Sequence, residues 1–162
     1  MAYRNFSLYA IYGPADRSLY VGQSSWLKSR LGRHDHQLER GNHHSPLLLT
    51  SYANAQRTGK PLQVLGLDWD TDETLILVME TVLLARAKVY APRWKITNET
   101  VPTERELTQT YSRERIKQAA ARISERAEPS LARMKPVSTQ QITGTLSSFR
   151  VHTENFGPRM RA

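Results

Sequence analysis

The chain has 162 residues, of which 39% are hydrophobic and none is cysteine. This length allows one substantial core, and the missing cysteines exclude disulfides, thiolate metal sites and cysteine nucleophiles. The formal net charge is +8, with the excess concentrated after residue 100, which favours a polyanionic partner such as nucleic acid. We expect a cytoplasmic protein without a membrane partner, because no segment reads as a signal peptide or a membrane span.

The first residues predict a β-hairpin. Residues 6–12 are rich in aromatic and β-branched side chains, and a turn sequence separates them from a second strand at 18–22. Helical spacing follows, with Ser24 or Ser25 as the N-cap and Gly41 as the stop.

The next elements are a helix over 44–56, a strand over 62–69 and a strongly apolar helix over about 72–90, which Pro92 ends. The acidic residues of segment 68–72 suit a solvated turn at the start of that last helix.

After residue 100 the chain becomes more polar, and we divide it into a first domain at 1–100, where the candidate site residues described below are concentrated, and a basic extension at 101–162. Residues 104–127 predict one charged helix, and 136–162 predict an extended tail. The helix carries cations that we expect to contact nucleic acid, namely Arg113, Arg115, Lys117 and Arg122. Alternatively the helix packs on the first domain or on a second copy, which leaves a homodimer open.

The residues with the clearest chemistry lie between positions 9 and 34. Tyr12 and Tyr20 stand on neighbouring strands of the predicted hairpin, where their hydroxyls can meet. Arg30 and His34 are four residues apart and share a helix face. A guanidinium can grip a phosphate through two hydrogen bonds, and an imidazole or phenol can move a proton or orient a water.

This combination resembles the GIY-YIG nuclease family over about residues 6–98. The matching segments are Ala10-Ile11-Tyr12, Tyr20-Val21-Gly22, Arg30, His34, the loop Gly41-Asn42-His43-His44-Ser45, Glu80 and the closing segment Pro92-Arg93-Trp94-Lys95-Ile96. The resemblance implies an α+β fold with a small three-stranded antiparallel sheet flanked by helices, followed here by a C-terminal helical extension.

The resemblance also implies a divalent-metal-dependent endonuclease, with catalytic residues Tyr12, Tyr20, Arg30, His34 and Glu80. Glu80 would hold one Mg²⁺ or Mn²⁺ ion, and Arg30 would stabilise charge on the phosphate. Tyr20, or Tyr12 with His34, would activate the attacking water.

Glu80 stands out without the family as well. It is the acidic residue inside an apolar helix, and a buried carboxylate needs a partner. That partner is either a metal ion or a guanidinium, Arg30 or Arg86.

Three positions depart from the family pattern. Ala10 replaces a glycine, Gln23 stands where several members have lysine, and Lys95 stands where asparagine is usual. Either Lys95 contacts phosphate instead, or Asn98 takes over the role of the missing asparagine.

Further nucleic-acid contacts are predicted at Arg33, His43 and Lys95, with DNA rather than RNA as the partner. The alternatives are a non-catalytic nucleic-acid-binding module of the same fold and a protein-binding inhibitor. Phosphate binding must weaken as the salt concentration rises, which separates nucleic-acid binding from protein binding.

Overall fold

A computed structural model describes residues 5–134, 145–146 and 149–152. Within these residues the strands form one mixed sheet in the order β4-β2-β1-β3-β6-β5. The strands are β1 (Phe6–Gly13), β2 (Ser18–Ser24), β3 (Leu62–Asp70), β4 (Lys95–Ile96), β5 (Thr145–Leu146) and β6 (Phe149–His152). The predicted hairpin is confirmed, since β1 and β2 pair in antiparallel fashion.

The helices lie on both faces of this sheet. They are α1 (Leu27–Arg40), α2 (Pro46–Thr58), α3 (Glu73–Ala85), α4 (Ala87–Tyr90), α5 (Glu104–Thr110), α6 (Arg113–Arg122), a π-helical segment (Ile123–Ala127) and α7 (Glu128–Ala132). Gly41 ends α1 with a left-handed backbone at φ 71°, as predicted. The side chain of Asp72 caps α3 by accepting a hydrogen bond from the backbone N–H of Leu75.

The predicted three-stranded antiparallel sheet is wrong, although the α+β class holds. Strands β2, β1 and β3 are antiparallel neighbours, but β4 adds to β2 and β6 adds to β3 in parallel orientation. Strand β6, which lies between β3 and β5, buries Phe149 and Val151 against the core, which is why a segment expected to be an extended tail joins the sheet. Apart from β5 and β6, residues 136–162 lie outside the described residues.

The two faces of the sheet bury different sets of side chains, because neighbouring strand residues point to opposite faces. Ala10 and Tyr12 of β1 pack on the face that α3 covers. Tyr9 and Ile11 pack on the opposite face, together with Leu31 of α1.

The basic extension packs on the face covered by α3. Residues 104–127 do not form one helix, because α5 ends at Tyr111 and the side chain of Ser112 caps a new helix, α6. Leu107, Ile116 and Ile123 share one hydrophobic cluster with α3. Residues on either side of position 100 therefore contribute to the same core.

The acidic segment 68–72 is a solvated turn only at Thr71 and Asp72, because its first carboxylate is buried at the end of β3. Asp68 is 1% exposed and pairs with Arg122 of α6 at 2.9 Å, and Arg122 also contacts Asp70 at 3.1 Å. These ion pairs tie the extension to the sheet.

Candidate active site

The register of the hairpin decides which tyrosines meet. Tyr20 pairs with Ile11, and Tyr9 pairs with Gly22, so Tyr9 and Tyr20 lie on one face of the sheet. Tyr12 lies on the other face, where its hydroxyl donates a hydrogen bond to Gln63 Oε1 at 3.0 Å. The predicted role of Tyr12 in catalysis therefore does not fit its position, and Tyr9 takes its place beside Tyr20.

Gly22 makes room for Tyr9. A Cβ atom added at Gly22 would lie 2.5 Å from the Tyr9 ring carbon Cζ and 2.5 Å from its hydroxyl oxygen. The phenol of Tyr9 therefore lies directly over the Gly22 backbone, and only glycine permits that approach.

A chain of hydrogen bonds runs from the backbone of Ser45 to Tyr9, and we call His34, His43 and Ser45 the histidine relay. The Ser45 N–H donates to His43 Nδ1 at 3.0 Å. His43 Nε2 lies 2.7 Å from His34 Nδ1, and His34 Nε2 lies 2.8 Å from the Tyr9 hydroxyl.

The Ser45 donor fixes the direction of the relay. His43 accepts at Nδ1, so a neutral His43 carries its proton on Nε2 and donates it to His34 Nδ1. His34 then carries its own proton on Nε2 and donates to the oxygen of Tyr9. The hydroxyl proton of Tyr9 is consequently directed away from His34.

Burial keeps both relay imidazoles neutral. His34 is 1% exposed, and burial, reinforced by the neighbouring His43 and Arg30, lowers the pKa of His34 to about 3. Burial and the neighbouring His44 lower the pKa of His43 to about 4. Neither imidazole is a cation near neutral pH, so the tautomers assigned above are the relevant states.

Arg30 of α1 lies beside both tyrosine hydroxyls of the site. Burial raises the pKa of Tyr9 and of Tyr20, and Arg30 opposes the rise in both cases. The Arg30 Nε atom is buried without a hydrogen-bond acceptor in the described part of the chain. An unsatisfied charged donor of this kind is suited to an anionic ligand.

Glu80 of α3 belongs to the same electrostatic environment. Burial raises the pKa of the Glu80 carboxyl to about 7, and the charge of Arg30 opposes the rise. Arg86, one of the partners considered from the sequence, is paired with Glu104 at 2.7 Å instead. The described residues form no ion pair with Glu80, so its carboxylate stays available.

The closing segment contributes through Asn98 rather than Lys95. The side chain of Asn98 accepts from the Val21 N–H at 2.9 Å and donates to the Val21 carbonyl at 2.7 Å. It thereby holds the strand residue next to Tyr20. Lys95 is exposed, and its backbone N–H donates to the carbonyl of Arg17 at 2.7 Å.

The other predicted nucleic-acid contacts separate into exposed and buried residues. Exposed side chains are found at Arg33, Arg113, Arg115 and Lys117. His43 is 5% exposed and belongs to the relay, and Arg122 is committed to Asp68, so neither presents a free cation.

Sequence reasoning gave no role to Tyr9, and it named Ser45 and His44 as members of the loop 41–45 without assigning either a role. Counting back from the turn that closes with Gly13 opposite Ser18 gives Tyr9 the same face as Tyr20, so this signal was present in the sequence. No spacing rule predicts the exposed ring of His44, which stacks on His43 with a centroid distance of 4.3 Å.

Comparison of the chain with protein-family models, curated proteins and solved structures finds no match. Across the described residues, every helix is too short or too polar to cross a bilayer.

Proposed function

We propose that the protein is a divalent-metal-dependent endonuclease that hydrolyses phosphodiester bonds in DNA. The observation that carries this proposal is the convergence of Tyr9, Tyr20, Arg30, His34 and Glu80, which come from two strands and two helices. A guanidinium whose buried Nε lacks an acceptor among the described residues, beside two phenols and a carboxylate without an ion pair there, suits a phosphodiester.

The residues present fit one hard cation, Mg²⁺ or Mn²⁺. Glu80 offers a carboxylate that burial penalises and that no described residue pairs with. No group of three or more metal-ligating side chains is found among the described residues, so the remaining ligands would be water and phosphate, as is common for Mg²⁺. A bound ion would supply Lewis-acid stabilisation of charge on the phosphate.

The side chains of the site have separable roles. Arg30 neutralises the charge that develops on the phosphate, and its buried Nε gains an acceptor from that phosphate. Tyr9 holds a proton on its hydroxyl oxygen at rest, because burial raises its pKa. The hydrogen bond from His34 and the charge of Arg30 stabilise negative charge on that oxygen, so Tyr9 can release its hydroxyl proton to solvent, and the phenolate oxygen then accepts the proton of the attacking water.

Tyr20 orients the attacking water in this proposal. The Tyr20 ring packs edge-on against His34 with a centroid distance of 5.1 Å, which holds its hydroxyl near Arg30, where it orients the water.

A reducing, cytosolic compartment is proposed because the sequence lacks cysteine.

The decisive experiment is plasmid and oligonucleotide cleavage in Mg²⁺, in Mn²⁺ and in EDTA, with Glu80→Gln as the test variant. We expect cleavage by the natural chain only with metal, and its loss in Glu80→Gln with DNA binding retained. Glu106→Gln, which changes an exposed carboxylate in α5, is the matched control and should cleave normally. Cleavage by Glu80→Gln at the natural rate contradicts the assignment, and binding without cleavage by the natural chain favours a non-catalytic binding module.

A further inference from the structure

An open cleft lies beside Arg30 at the start of α1. Its volume is about 410 Å³, within the range of roughly 300–1,000 Å³ that is usual for ligand sites. The side chains that line it include Gln23, Ser24, Ser25, Trp26, Arg30 and Arg33.

Trp26 is the unusual member of this cleft. Its side chain is 59% exposed, whereas tryptophan is highly buried on average. The backbone holds it in place, because the Trp26 N–H donates to Ser24 Oγ at 2.9 Å and the Trp26 carbonyl accepts from the Arg30 N–H at 2.9 Å. The backbone of Trp26 is therefore fixed one helical turn before Arg30.

The spacing along α1 puts an aromatic ring and two cations on one face. Arg30 and Arg33 follow Trp26 by four and seven residues, which is one side of a helix. Glu73 also lines the cleft, so a phosphate is repelled from that rim and attracted to the arginines. The cleft thus offers a stacking surface at one end and phosphate donors at the other.

We propose that this cleft binds one unpaired nucleotide of a DNA strand, with its base stacked on Trp26 and its phosphate on Arg33. Placing this nucleotide next to the reacting phosphate at Arg30 rests on the proposed function. An indole can stack only on a base whose face is uncovered, and the bases of an intact duplex cover one another. The site therefore selects single-stranded, flapped or flipped nucleotides over continuous duplex.

The test is the binding of fluorescein-labelled DNA in EDTA, where cleavage does not interfere. A single-stranded oligonucleotide is compared with the fully paired duplex of the same sequence, for the natural chain, Trp26→Ala, Trp26→Phe and the control Val89→Ala. Val89 is 71% exposed and lies in α4, so its variant also removes an exposed apolar side chain.

We expect Trp26→Ala to weaken single-strand binding about tenfold, Trp26→Phe to weaken it less than threefold, and neither to change duplex binding. Val89→Ala should bind as the natural chain does. Equal binding by Trp26→Ala and the natural chain, or an equal loss on both DNA forms, overturns the inference. The two proposals can fail separately. Absence of metal-dependent cleavage in the plasmid and oligonucleotide experiment would refute the nuclease proposal, whereas the binding comparison contains no metal and would still test the cleft.

Discussion

At the scale of single residues, the site depends on which tyrosine hydroxyl accepts the last hydrogen bond of the histidine relay. The hydrogen bonds from Ser45, His43 and His34 all run in one direction and end on the oxygen of Tyr9. Tyr12, only three residues away, faces Gln63 and Trp94 on the other side of the sheet. These two tyrosines therefore form a matched pair for testing the site.

We predict that Tyr9→Phe lowers the cleavage rate by about 100-fold or more, the scale of a lost proton-transfer group. The substitution removes only the hydroxyl that exchanges the proton and leaves the ring over Gly22 in place. Tyr12→Phe should change the rate by less than threefold, because its hydroxyl donates to Gln63 on the opposite face of the sheet. Single-turnover rates at saturating enzyme measure the difference.

Two controls support this comparison. Thermal unfolding shows whether either tyrosine variant is misfolded, and duplex and single-strand binding shows whether substrate still reaches the site. If Tyr12→Phe loses as much activity as Tyr9→Phe while both variants remain folded, the assignment of Tyr9 is incorrect.

At the scale of secondary-structure elements, local signals predicted some helix ends correctly and others not, since the N-cap of α1 is Trp26 and not Ser24 or Ser25. Gly41 ends α1 and Asp72 caps α3, since a left-handed stop and a capping carboxylate act within one helical turn. The two-residue strand β4 and the strand β6 have no such local signal, because they exist through pairing with the distant edges of β2 and β3.

The site shows the same division between local and distant information. Arg30 and His34 follow from helical spacing, and Tyr20 from the second strand. His43 was expected on the surface, but it becomes buried because α1 and the loop before α2 close around it. The residues around His43 in the sequence give no signal that predicts this burial.

Arg122 is a basic residue whose role is set by a contact between two elements, α6 and β3. We predict that Arg122→Ala lowers the free energy of unfolding by about 3 kcal/mol, because it leaves the buried carboxylate of Asp68 without its closest cation. Lys117→Ala, on the same helix but exposed, should change stability by less than about 0.5 kcal/mol. Urea unfolding at neutral pH compares the two variants.

In DNA binding, the variants Arg122→Ala and Lys117→Ala should show the opposite order of effects. Lys117→Ala should weaken binding and reduce its salt dependence if α6 contacts phosphates, whereas Arg122 has no such contact to lose in the folded protein. Equal stability of Arg122→Ala and Lys117→Ala would show that the extension is not held to β3 by this ion pair.

At the scale of the whole molecule, one fold buries titratable groups that respond to acid in opposite directions. Burial lowers the pKa of His34 to about 3 and of His43 to about 4, below the value of about 6.5 for exposed histidine. Burial raises the pKa of Glu80 to about 7, above the value of about 4.3 for exposed glutamate. The pH dependence of stability is therefore a difference between these effects.

Between about pH 6.5 and pH 4.5 the unfolded chain binds protons at both histidines more strongly than the native chain does, so these two groups destabilise the native state as pH falls. Glu80 has the opposite sign, because the native state binds its proton more strongly from about pH 7 down to about pH 4.5. Each group contributes at most about 1.4 kcal/mol per pH unit, so Glu80 offsets about one of the two histidines.

We predict that Glu80→Gln makes the loss of stability on acidification steeper by about 1 kcal/mol per pH unit between pH 6.5 and pH 5, because it removes the opposing contribution. His43→Gln should make the loss shallower by a similar amount, since it removes one of the two histidine contributions. Urea unfolding in EDTA at half-unit pH steps gives both slopes, with His36→Gln as the control, because His36 is exposed on the same helix as His34. Parallel pH profiles for the natural chain and Glu80→Gln would mean that the Glu80 carboxyl titrates alike in the native and unfolded states, and that it is not the desolvated carboxylate on which the proposed metal site depends.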